Sequence, residues 1–344
     1  MPDKIKIGYV GIGRYLPENV LTNADLEKIV DTSDEWIIKR TGIQTRRIMG
    51  QGESVSSMAI SAAKSAIEHS GIDAEQISCM RVGVNTHLRF PSVAAIVQDA
   101  LGIEDVSASD IAAGCSGFIF SVEDVYNRLM TEWMLYGKKS YGIAMGVDGL
   151  SMVTDWTNRS TCVLFGDGAG AVVIGPVEAG EILATHTKTE GKYANLLELD
   201  EFLSVPLEDT KKMTFRHRNN TNYPFLTMAG PKVFAVAVRS MVSEVRTVIK
   251  KYNQANGANI TESDIDYVFP HQANLRIVSA VRDALKLTPD RIFSDGVKKY
   301  GNTSAASIPI GYVDQRGKRP GALEVDVSFG SGFASGAILR RVAP

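Results

Sequence analysis

The pattern of apolar and polar positions predicts strands and helices that alternate along the whole chain. Residues 5–12 alternate with the period of a strand, residues 54–69 have the period of an Ala- and Ser-rich helix, and residues 77–84 form an apolar strand. The longest helical pattern covers residues 230–252, and strands within residues 323–341 close the chain. Because strands and helices alternate, we predict an α/β fold.

One stretch lacks this regularity. Residues 186–222 are polar and carry few apolar repeats. Long segments of this kind run over the surface and are more mobile than the elements that they connect. We therefore predict a long surface excursion between the two regular parts of the chain.

The second half of the chain repeats features of the first half in the same order. Three pairs of segments match: residues 72–77 with 260–265, residues 97–101 with 281–285, and Phe165-Gly166-Asp167-Gly168 with Phe329-Gly330-Ser331-Gly332. Three ordered matches predict a duplicated α/β unit, with one half at residues 1–175 and the other at residues 176–344. A ligand would then bind where corresponding loops of the two halves meet.

The composition is that of an ordinary globular chain. Its 344 residues are enough for a large core, and a net charge of −2 gives no electrostatic footprint for nucleic acid. Three widely spaced cysteines indicate a reducing compartment, and no residues have the spacing of metal ligands. Since no apolar run has the length of a membrane span or a signal peptide core, we expect a cytoplasmic protein.

Cys115 is the first candidate for chemistry. It lies between an apolar stretch and a helical pattern that begins at Phe118, with Gly114 and Gly117 leaving room around the sulfur. A cysteine at a helix N-terminus faces unpaired N–H groups and the positive end of the dipole, which favours the nucleophilic thiolate. The alternative is a buried cysteine that only fills space, which is the commoner role of an arbitrary cysteine.

Three further segments have both a functional and a structural interpretation. His271 ends an apolar strand and precedes a helix, where a hydrogen-bonded structural histidine would also fit. Asn302 lies in a tight turn before a helix of small residues, which it could simply cap. Trp36 and the basic residues that follow it, Arg40, Arg46 and Arg47, could receive the adenine and a phosphate of a nucleotide, or could form a solvated face.

Together these segments resemble the β-ketoacyl-acyl-carrier-protein synthase III family of thiolase-fold condensing enzymes. The resemblance spans essentially the whole chain. The motifs that carry it are Thr32-Ser33-Asp34-Glu35-Trp36 through Arg40-Thr41-Gly42-Ile43, Ala113-Gly114-Cys115-Ser116-Gly117-Phe118, Phe165-Gly166-Asp167-Gly168-Ala169-Gly170, Pro270-His271-Gln272-Ala273-Asn274 and Gly301-Asn302-Thr303-Ser304-Ala305-Ala306-Ser307.

The resemblance implies a thiolase-like fold, in which two α/β halves form a five-layered αβαβα core, and a Cys115–His271–Asn302 triad. Cys115 would accept an acyl group from a short acyl-CoA. Malonyl-acyl-carrier protein would then lose CO₂ and attack that group, with His271 and Asn302 binding the enolate oxygen. The loop with Phe329 and Ser331 would add an oxyanion N–H and an apolar face that favours loss of CO₂. Both thioesters are substrates, so no cofactor is implied.

The resemblance also assigns contacts around the site. Trp36 and Arg159 would flank the adenine of CoA, Arg40 would lie near its phosphates, and Asn274 would contact the pantetheine arm. Arg276 would guide the acidic acyl carrier protein to the mouth of the tunnel. No contact with nucleic acid or membrane is implied.

The family works as a homodimer, in which Phe90 would reach into the acyl pocket of the partner. This chain departs from the family's usual pattern at three places. Ser331 replaces the middle glycine of a Gly-rich loop and would be strained if that position were left-handed. Ala235 stands after Phe234 where a lysine is common, and residues 85–87 replace the commoner Thr-Pro-Asp loop. The last two departures favour a rival interpretation, a related condensing enzyme of a specialised pathway with a different acyl donor or acceptor.

Two more distant alternatives fit the residues less well. A biosynthetic thiolase needs a second cysteine at the active site, and neither Cys79 nor Cys162 lies in a suitable turn. A non-catalytic acyl-CoA-binding or scaffold protein would have no use for an intact Cys-His-Asn set.

Overall fold

The computed structural model describes residues 5–86, 90–199 and 225–344, and two central sheets organise it. The first sheet contains, in chain order, β1 (Ile7–Tyr15), β4 (Ile77–Gly83), β5 (Ser107–Ile111), β6 (Tyr141–Gly149) and β7 (Asp167–Pro176). Its spatial order is β1-β7-β6-β4-β5. Strand β4 is parallel to β5 and β6, whereas β7 is antiparallel to β1 and β6. Strand β5, which leads to Cys115, therefore lies at an edge.

The second sheet contains β8 (Ile182–Thr189), β11 (Tyr267–Pro270), β12 (Leu323–Phe329) and β13 (Ala334–Arg341). Its order is β11-β12-β13-β8, with β11 and β12 parallel and the other pairs antiparallel. The strands of the first sheet thus end at Pro176 and those of the second begin at Ile182. The division into domains at residues 175 and 176 stays a prediction.

Helices form three layers around the two sheets. Helices α3 (Val55–Ser70) and α4 (Val93–Leu101) cover the outer face of the first sheet, and α7 (Gly230–Asn256) and α8 (Leu275–Ala284) cover the second. Helices α5 (Gly117–Tyr136) and α10 (Ser307–Asp314) lie between the sheets. This order confirms the five-layered αβαβα arrangement.

Short elements surround the ends of the central layer. They are α1 (Asn23–Leu26), α2 (Asp34–Thr41), α6 (Arg159–Cys162), α9 (Asp295–Tyr300) and two ribbons, β2 (Val20–Thr22) with β3 (Thr45–Arg47) and β9 (Leu197–Leu199) with β10 (Leu226–Met228). Helix α2 begins at Asp34, where the Ser33 hydroxyl caps it by accepting a hydrogen bond from the Trp36 N–H at 3.2 Å.

The prediction of a surface excursion over residues 186–222 is wrong at its start. Strand β8 continues to Thr189, a 3₁₀ helix follows at Gly191–Leu196, and β9 ends at Leu199. Polar side chains suit β8 because it lies at the edge of its sheet. The rest of the predicted excursion, residues 200–222, lies outside the described residues.

The described helices include none that is both long and apolar enough to cross a membrane. Within the same three ranges, no group of three or more His, Cys, Asp and Glu side chains is arranged to hold a metal ion.

Glycines allow the central layer to touch the first sheet through the backbone. A Cβ placed on Gly83 of β4 would lie 2.2 Å from the Gly117 carbonyl carbon, at the start of α5. A Cβ on Gly146 of β6 would lie 2.1 Å from the Ala305 carbonyl oxygen, just before α10. Real Cβ atoms do not approach other atoms so closely. The central layer can therefore lie this near to the first sheet only because Gly83 and Gly146 carry no side chain.

Gly146→Ala should therefore lower the free energy of unfolding by about 1–3 kcal/mol, because the methyl group forces the segment before α10 away from β6. Urea unfolding followed by circular dichroism measures the loss. Gly191→Ala is the control, since a Cβ there meets nothing within 4 Å, and we expect a change of less than about 0.5 kcal/mol. Equal midpoints for the two variants would contradict the close approach.

Candidate active site

Three chain segments bring Cys115, His271 and Asn302 to one cavity. Cys115 follows β5 and precedes α5, His271 follows β11, and Asn302 follows α9. All three side chains line a cavity of about 710 Å³. His271 is fully buried and Asn302 is 7% exposed, whereas the Cys115 thiol is partly accessible from the cavity. The polar groups of the triad thus lie at the deep end of one space.

The environment of Cys115 favours the thiol over the thiolate. The Ser304 hydroxyl donates to Sγ at 3.4 Å, and α5 begins two residues later at Gly117. Burial raises the pKa of Cys115 to about 12, and the Asp148 carboxylate adds to the rise while the hydrogen bond from Ser304 opposes it. The stabilisation expected from the helix N-terminus is therefore outweighed by desolvation.

His271 is held as a neutral imidazole. Its Nδ1 lies 2.7 Å from the Ser307 hydroxyl oxygen, which also accepts the Gln272 N–H at 3.2 Å. Nε2 is buried and has no hydrogen-bond partner among the residues that the structure describes. Burial lowers the pKa of His271 to about 3, so the ring is uncharged at neutral pH. Assigning the Ser307 proton to the bond with Nδ1 places the ring proton on Nε2, where it can be donated into the cavity.

Asn302 is oriented by its own loop. Its side-chain oxygen accepts the Ser304 N–H at 2.9 Å, and its backbone exchanges hydrogen bonds with Leu164 at 2.9 Å and with Gly166 at 3.0 Å. Because the amide oxygen is engaged, the NH₂ group remains as the donor that the cavity can use. Asn302 therefore presents a donor, as His271 does.

A second loop packs against the nucleophile. Ser328 Oγ donates to the Cys115 carbonyl oxygen at 3.1 Å. A Cβ on Gly330 would lie 2.4 Å from the Cys115 nitrogen. The left-handed positions of this loop are Gly332, with φ 67°, and Phe333, with φ 48°, and not Ser331. The strain expected at Ser331 is therefore absent, and Ser331 and Phe329 both line the cavity.

The comparisons with known proteins agree with this geometry. Models of "3-Oxoacyl-[acyl-carrier-protein (ACP)] synthase III" and of its C-terminal part match residues 109–191 and 255–342. The chain is 42% identical over 339 residues to the β-ketoacyl-[acyl-carrier-protein] synthase III of Geobacillus kaustophilus, covering 97% of this chain and 98% of that protein. The chain belongs to the β-ketoacyl-acyl-carrier-protein synthase III family.

Solved structures give the same result. The 3-oxoacyl-[acyl-carrier-protein] synthase III of Aquifex aeolicus is 39% identical, with a TM-score of 0.83 and coverage of 98% of this chain and 100% of that chain. A priming β-ketosynthase of the R1128 polyketide biosynthetic pathway is 26% identical, with a TM-score of 0.84 and coverage of 100% and 98%. The predicted thiolase-like fold of this synthase III family member is confirmed.

The residues expected to bind CoA lie at the outer end of the cavity. Trp36, Arg40 and Asn274 line it, and Asn274 Nδ2 donates to the Arg40 carbonyl oxygen at 3.3 Å. Arg159 is not a lining residue, but its guanidinium lies over the Trp36 ring at 4.7 Å and donates to the Asp31 carbonyl oxygen at 2.8 Å. An adenine between the Trp36 ring and the Arg159 guanidinium needs a van der Waals contact of about 3.5 Å on each of its two faces. The present separation of 4.7 Å is too small for both contacts, so Arg159 must move outward before the predicted contact can form.

Two other predicted contact residues are exposed on this synthase III. Arg276, which also lines the cavity, lies in the first turn of α8 with its guanidinium 5.7 Å from the centre of the Phe234 ring. Phe90 is 98% exposed, which is unusual for a phenylalanine and fits a side chain that another molecule covers.

Sequence reasoning missed the hydroxyl groups that hold the triad. Ser304 and Ser307 contact the Cys115 sulfur and the His271 ring, although the run of small residues after Asn302 predicted only close packing. The hydroxyl groups of that run are visible in the sequence, but their hydrogen-bond partners lie more than 30 positions away and cannot be read from it. Asp148 and its contact with Asn85 were also missed.

The thiol environment predicts a steep pH dependence of alkylation. Because burial raises the pKa of Cys115 to about 12, the thiolate fraction should grow about tenfold per pH unit from pH 7 to pH 10. The rate of carbamidomethylation of Cys115 by iodoacetamide, followed by mass spectrometry, should therefore rise throughout this range. A plateau between pH 7 and pH 8 would show that the helix terminus dominates over burial.

Proposed function

We propose that this chain is a β-ketoacyl-acyl-carrier-protein synthase III that joins a short acyl group to malonyl-acyl-carrier protein and so initiates fatty-acid synthesis. The observation that supports the proposal is the cavity itself. A thiol, a neutral imidazole and a carboxamide share its deep end, while Trp36, Arg40 and Arg276 border its outer end. Such a channel suits a pantetheine arm that carries a thioester to a buried sulfur.

In the first half-reaction, the Cys115 sulfur attacks the thioester carbonyl of acyl-CoA. The bond from the carbonyl carbon to the CoA sulfur breaks, and CoA leaves as a thiol with the proton that Cys115 gives up. The negative charge on the carbonyl oxygen is met by the backbone N–H groups of Cys115 and Ser331, which need no reorganisation because both loops are packed.

In the second half-reaction, malonyl-acyl-carrier protein loses CO₂ and becomes an enolate. His271 Nε2–H and the Asn302 NH₂ group donate to the enolate oxygen, and neither acts as a base. The enolate carbon attacks the acyl carbonyl, the carbon–sulfur bond breaks, and Cys115 is released. Phe329, whose ring centre is 5.6 Å from that of His271, gives the departing carboxylate an apolar face.

Recognition of the substrates follows the same geometry. Trp36 and Arg159 receive the adenine, Arg40 lies near the phosphates, and Asn274 meets the pantetheine arm. Arg276 adds a positive charge at the cavity entrance for the acidic acyl carrier protein. The reaction needs no metal or cofactor, since the two thioesters, together with one proton from water that restores the Cys115 thiol, supply all the atoms that are exchanged.

The proposed working form is a cytoplasmic homodimer. Phe90 is the residue that this proposal explains, since a ring that is 98% exposed on one protomer would be covered in the acyl pocket of its partner.

The rival is a synthase-III-like enzyme of a specialised pathway. The likeness to the R1128 priming β-ketosynthase, Ala235 in place of a lysine, and residues 85–87 favour it. The identity of about 40% to proteins named β-ketoacyl-[acyl-carrier-protein] synthase III favours fatty-acid initiation. A panel of acyl-CoAs tested with malonyl-acyl-carrier protein separates the two, because the primary enzyme would accept the shortest donors and a specialised enzyme would prefer others.

Substitutions at the triad should separate the two half-reactions. Cys115→Ala should abolish transfer of the acetyl group from acetyl-CoA to the protein, because no nucleophile remains. Asn302→Ala should still be acetylated but should release CO₂ from malonyl-acyl-carrier protein about a hundredfold more slowly, because one enolate donor is lost. Mass spectrometry of the intact protein and CO₂ release measure the two steps. Condensation at the normal rate by Asn302→Ala would exclude the enolate role.

A further inference from the structure

The side-chain amide of Asn85 holds Gly114, the residue before the nucleophile, with two hydrogen bonds, which are called the grip below. Asn85, which follows β4 and lines the cavity, donates from Nδ2 to the Gly114 carbonyl oxygen at 3.1 Å. Its Oδ1 accepts the Gly114 N–H at 3.1 Å. Gly114 has φ 55°, which is a left-handed conformation. A glycine adopts this conformation freely, but it adopts several other conformations equally well. The two bonds therefore select one conformation of a flexible residue.

The grip on Gly114 fixes the direction of the Cys115 N–H. The Gly114 carbonyl and the Cys115 N–H belong to one planar trans peptide, in which the two bonds point in opposite directions. Gly117 N–H also donates to this carbonyl, at 3.0 Å, so both of its acceptor positions are used. Rotation of the peptide would break both hydrogen bonds, and the Cys115 N–H would no longer meet the oxyanion.

A buried carboxylate determines which way the Asn85 amide faces. Asp148, at the end of β6, is fully buried, and its Oδ2 accepts Asn85 Nδ2 at 3.2 Å. Its Oδ1 accepts the Asn85 N–H at 2.9 Å, the Thr86 N–H at 3.1 Å and the Thr86 hydroxyl at 2.9 Å. An ionised carboxylate only accepts hydrogen bonds, so the NH₂ group must face it and the amide oxygen must face the Gly114 N–H.

We infer that Asn85 is a positioning residue for acyl transfer, which aims the Cys115 N–H at the thioester oxygen, and that Asp148 fixes the orientation of Asn85. This inference rests on the proposed acylation of Cys115. In this role, the Asn85 amide and the Asp148 carboxylate act through the Gly114–Cys115 peptide, and not by contacting the substrate or the sulfur themselves.

The same geometry predicts that only one half-reaction depends on Asn85. His271 is held by Ser307, and Asn302 by its bonds to Ser304, Leu164 and Gly166. None of these bonds involves Asn85. Loss of the grip should therefore slow acylation and leave release of CO₂ intact.

The test compares Asn85→Asp and Asn85→Ala with the parent enzyme. Asn85→Asp keeps the size of the side chain but turns the NH₂ donor into an acceptor that faces both Asp148 and the Gly114 carbonyl. Asn85→Ala removes both hydrogen bonds to Gly114 without adding a charge. Because misplacement of a reacting group by about 1 Å can cost about a hundredfold, we expect the maximal rate of acetyl transfer from acetyl-CoA to Cys115 to fall about tenfold to a hundredfold. The KM for acetyl-CoA should change less than about twofold, since the outer end of the cavity is untouched.

Release of CO₂ from malonyl-acyl-carrier protein is the second measurement. It is made in the Cys115→Ala enzyme with and without each Asn85 substitution, and we expect equal rates. Asn253→Asp is the matched control, because Asn253 grips Ile260 in the same way, with bonds of 2.8 Å and 3.1 Å, but lies outside the cavity. This control should be acetylated at the parent rate.

The outcomes are distinct. If the parent enzyme is acetylated and both Asn85 variants keep its rate, the positioning role is wrong. If CO₂ release falls together with acetylation, Asn85 supports the whole site and the specific role is also wrong. If the parent enzyme itself gains no acetyl group, the proposed function fails, and the result is recognised before any variant is compared.

Discussion

The whole site depends on the contact between two backbone loops that come from different sheets. The loop at Gly114 and Cys115 follows β5 of the first sheet, and the loop at Gly330 and Ser331 follows β12 of the second. A Cβ on Gly114 would lie 2.3 Å from the Ser331 nitrogen, so the contact is possible only without a side chain there. This contact packs the Ser331 nitrogen of the second sheet's loop against the loop that carries Cys115. A binding site between the halves follows from the duplication.

Burial shifts the pKa values of Cys115 and His271 in opposite directions, but both shifts favour the uncharged form. It raises the pKa of Cys115 and lowers the pKa of His271, and in both cases the uncharged form is favoured. A triad without charges of its own keeps its donors free for the charge that develops on a substrate oxygen. The cost is a sulfur that must lose its proton during the reaction, and not before it.

The sequence predicts the fold better than it predicts the contacts of the site. The period of the apolar residues located α7 to within a few positions, because one face of a long helix must be apolar whatever it packs on. Motifs indicated Cys115, His271 and Asn302, and the structure brings them to one cavity. The serines that hold them were not predicted, since Ser304 and Ser307 acquire their partners only when the halves close. The protonation of Cys115 was misjudged because the helix terminus is visible in the sequence, whereas the burial of the sulfur is not.

The contact between Trp36 and Arg159 bears on how tightly CoA can bind. In the proposed complex, the adenine must take the place that the guanidinium now occupies over the indole ring. A cation–π contact at an exposed site contributes about 0.5–1 kcal/mol, and this amount is lost when the adenine enters. The stacking of the adenine therefore adds less to affinity than it would on a free tryptophan. In the proposed reaction CoA must leave before acyl carrier protein can use the same channel, so a weaker hold on the first product would allow the second substrate to enter sooner.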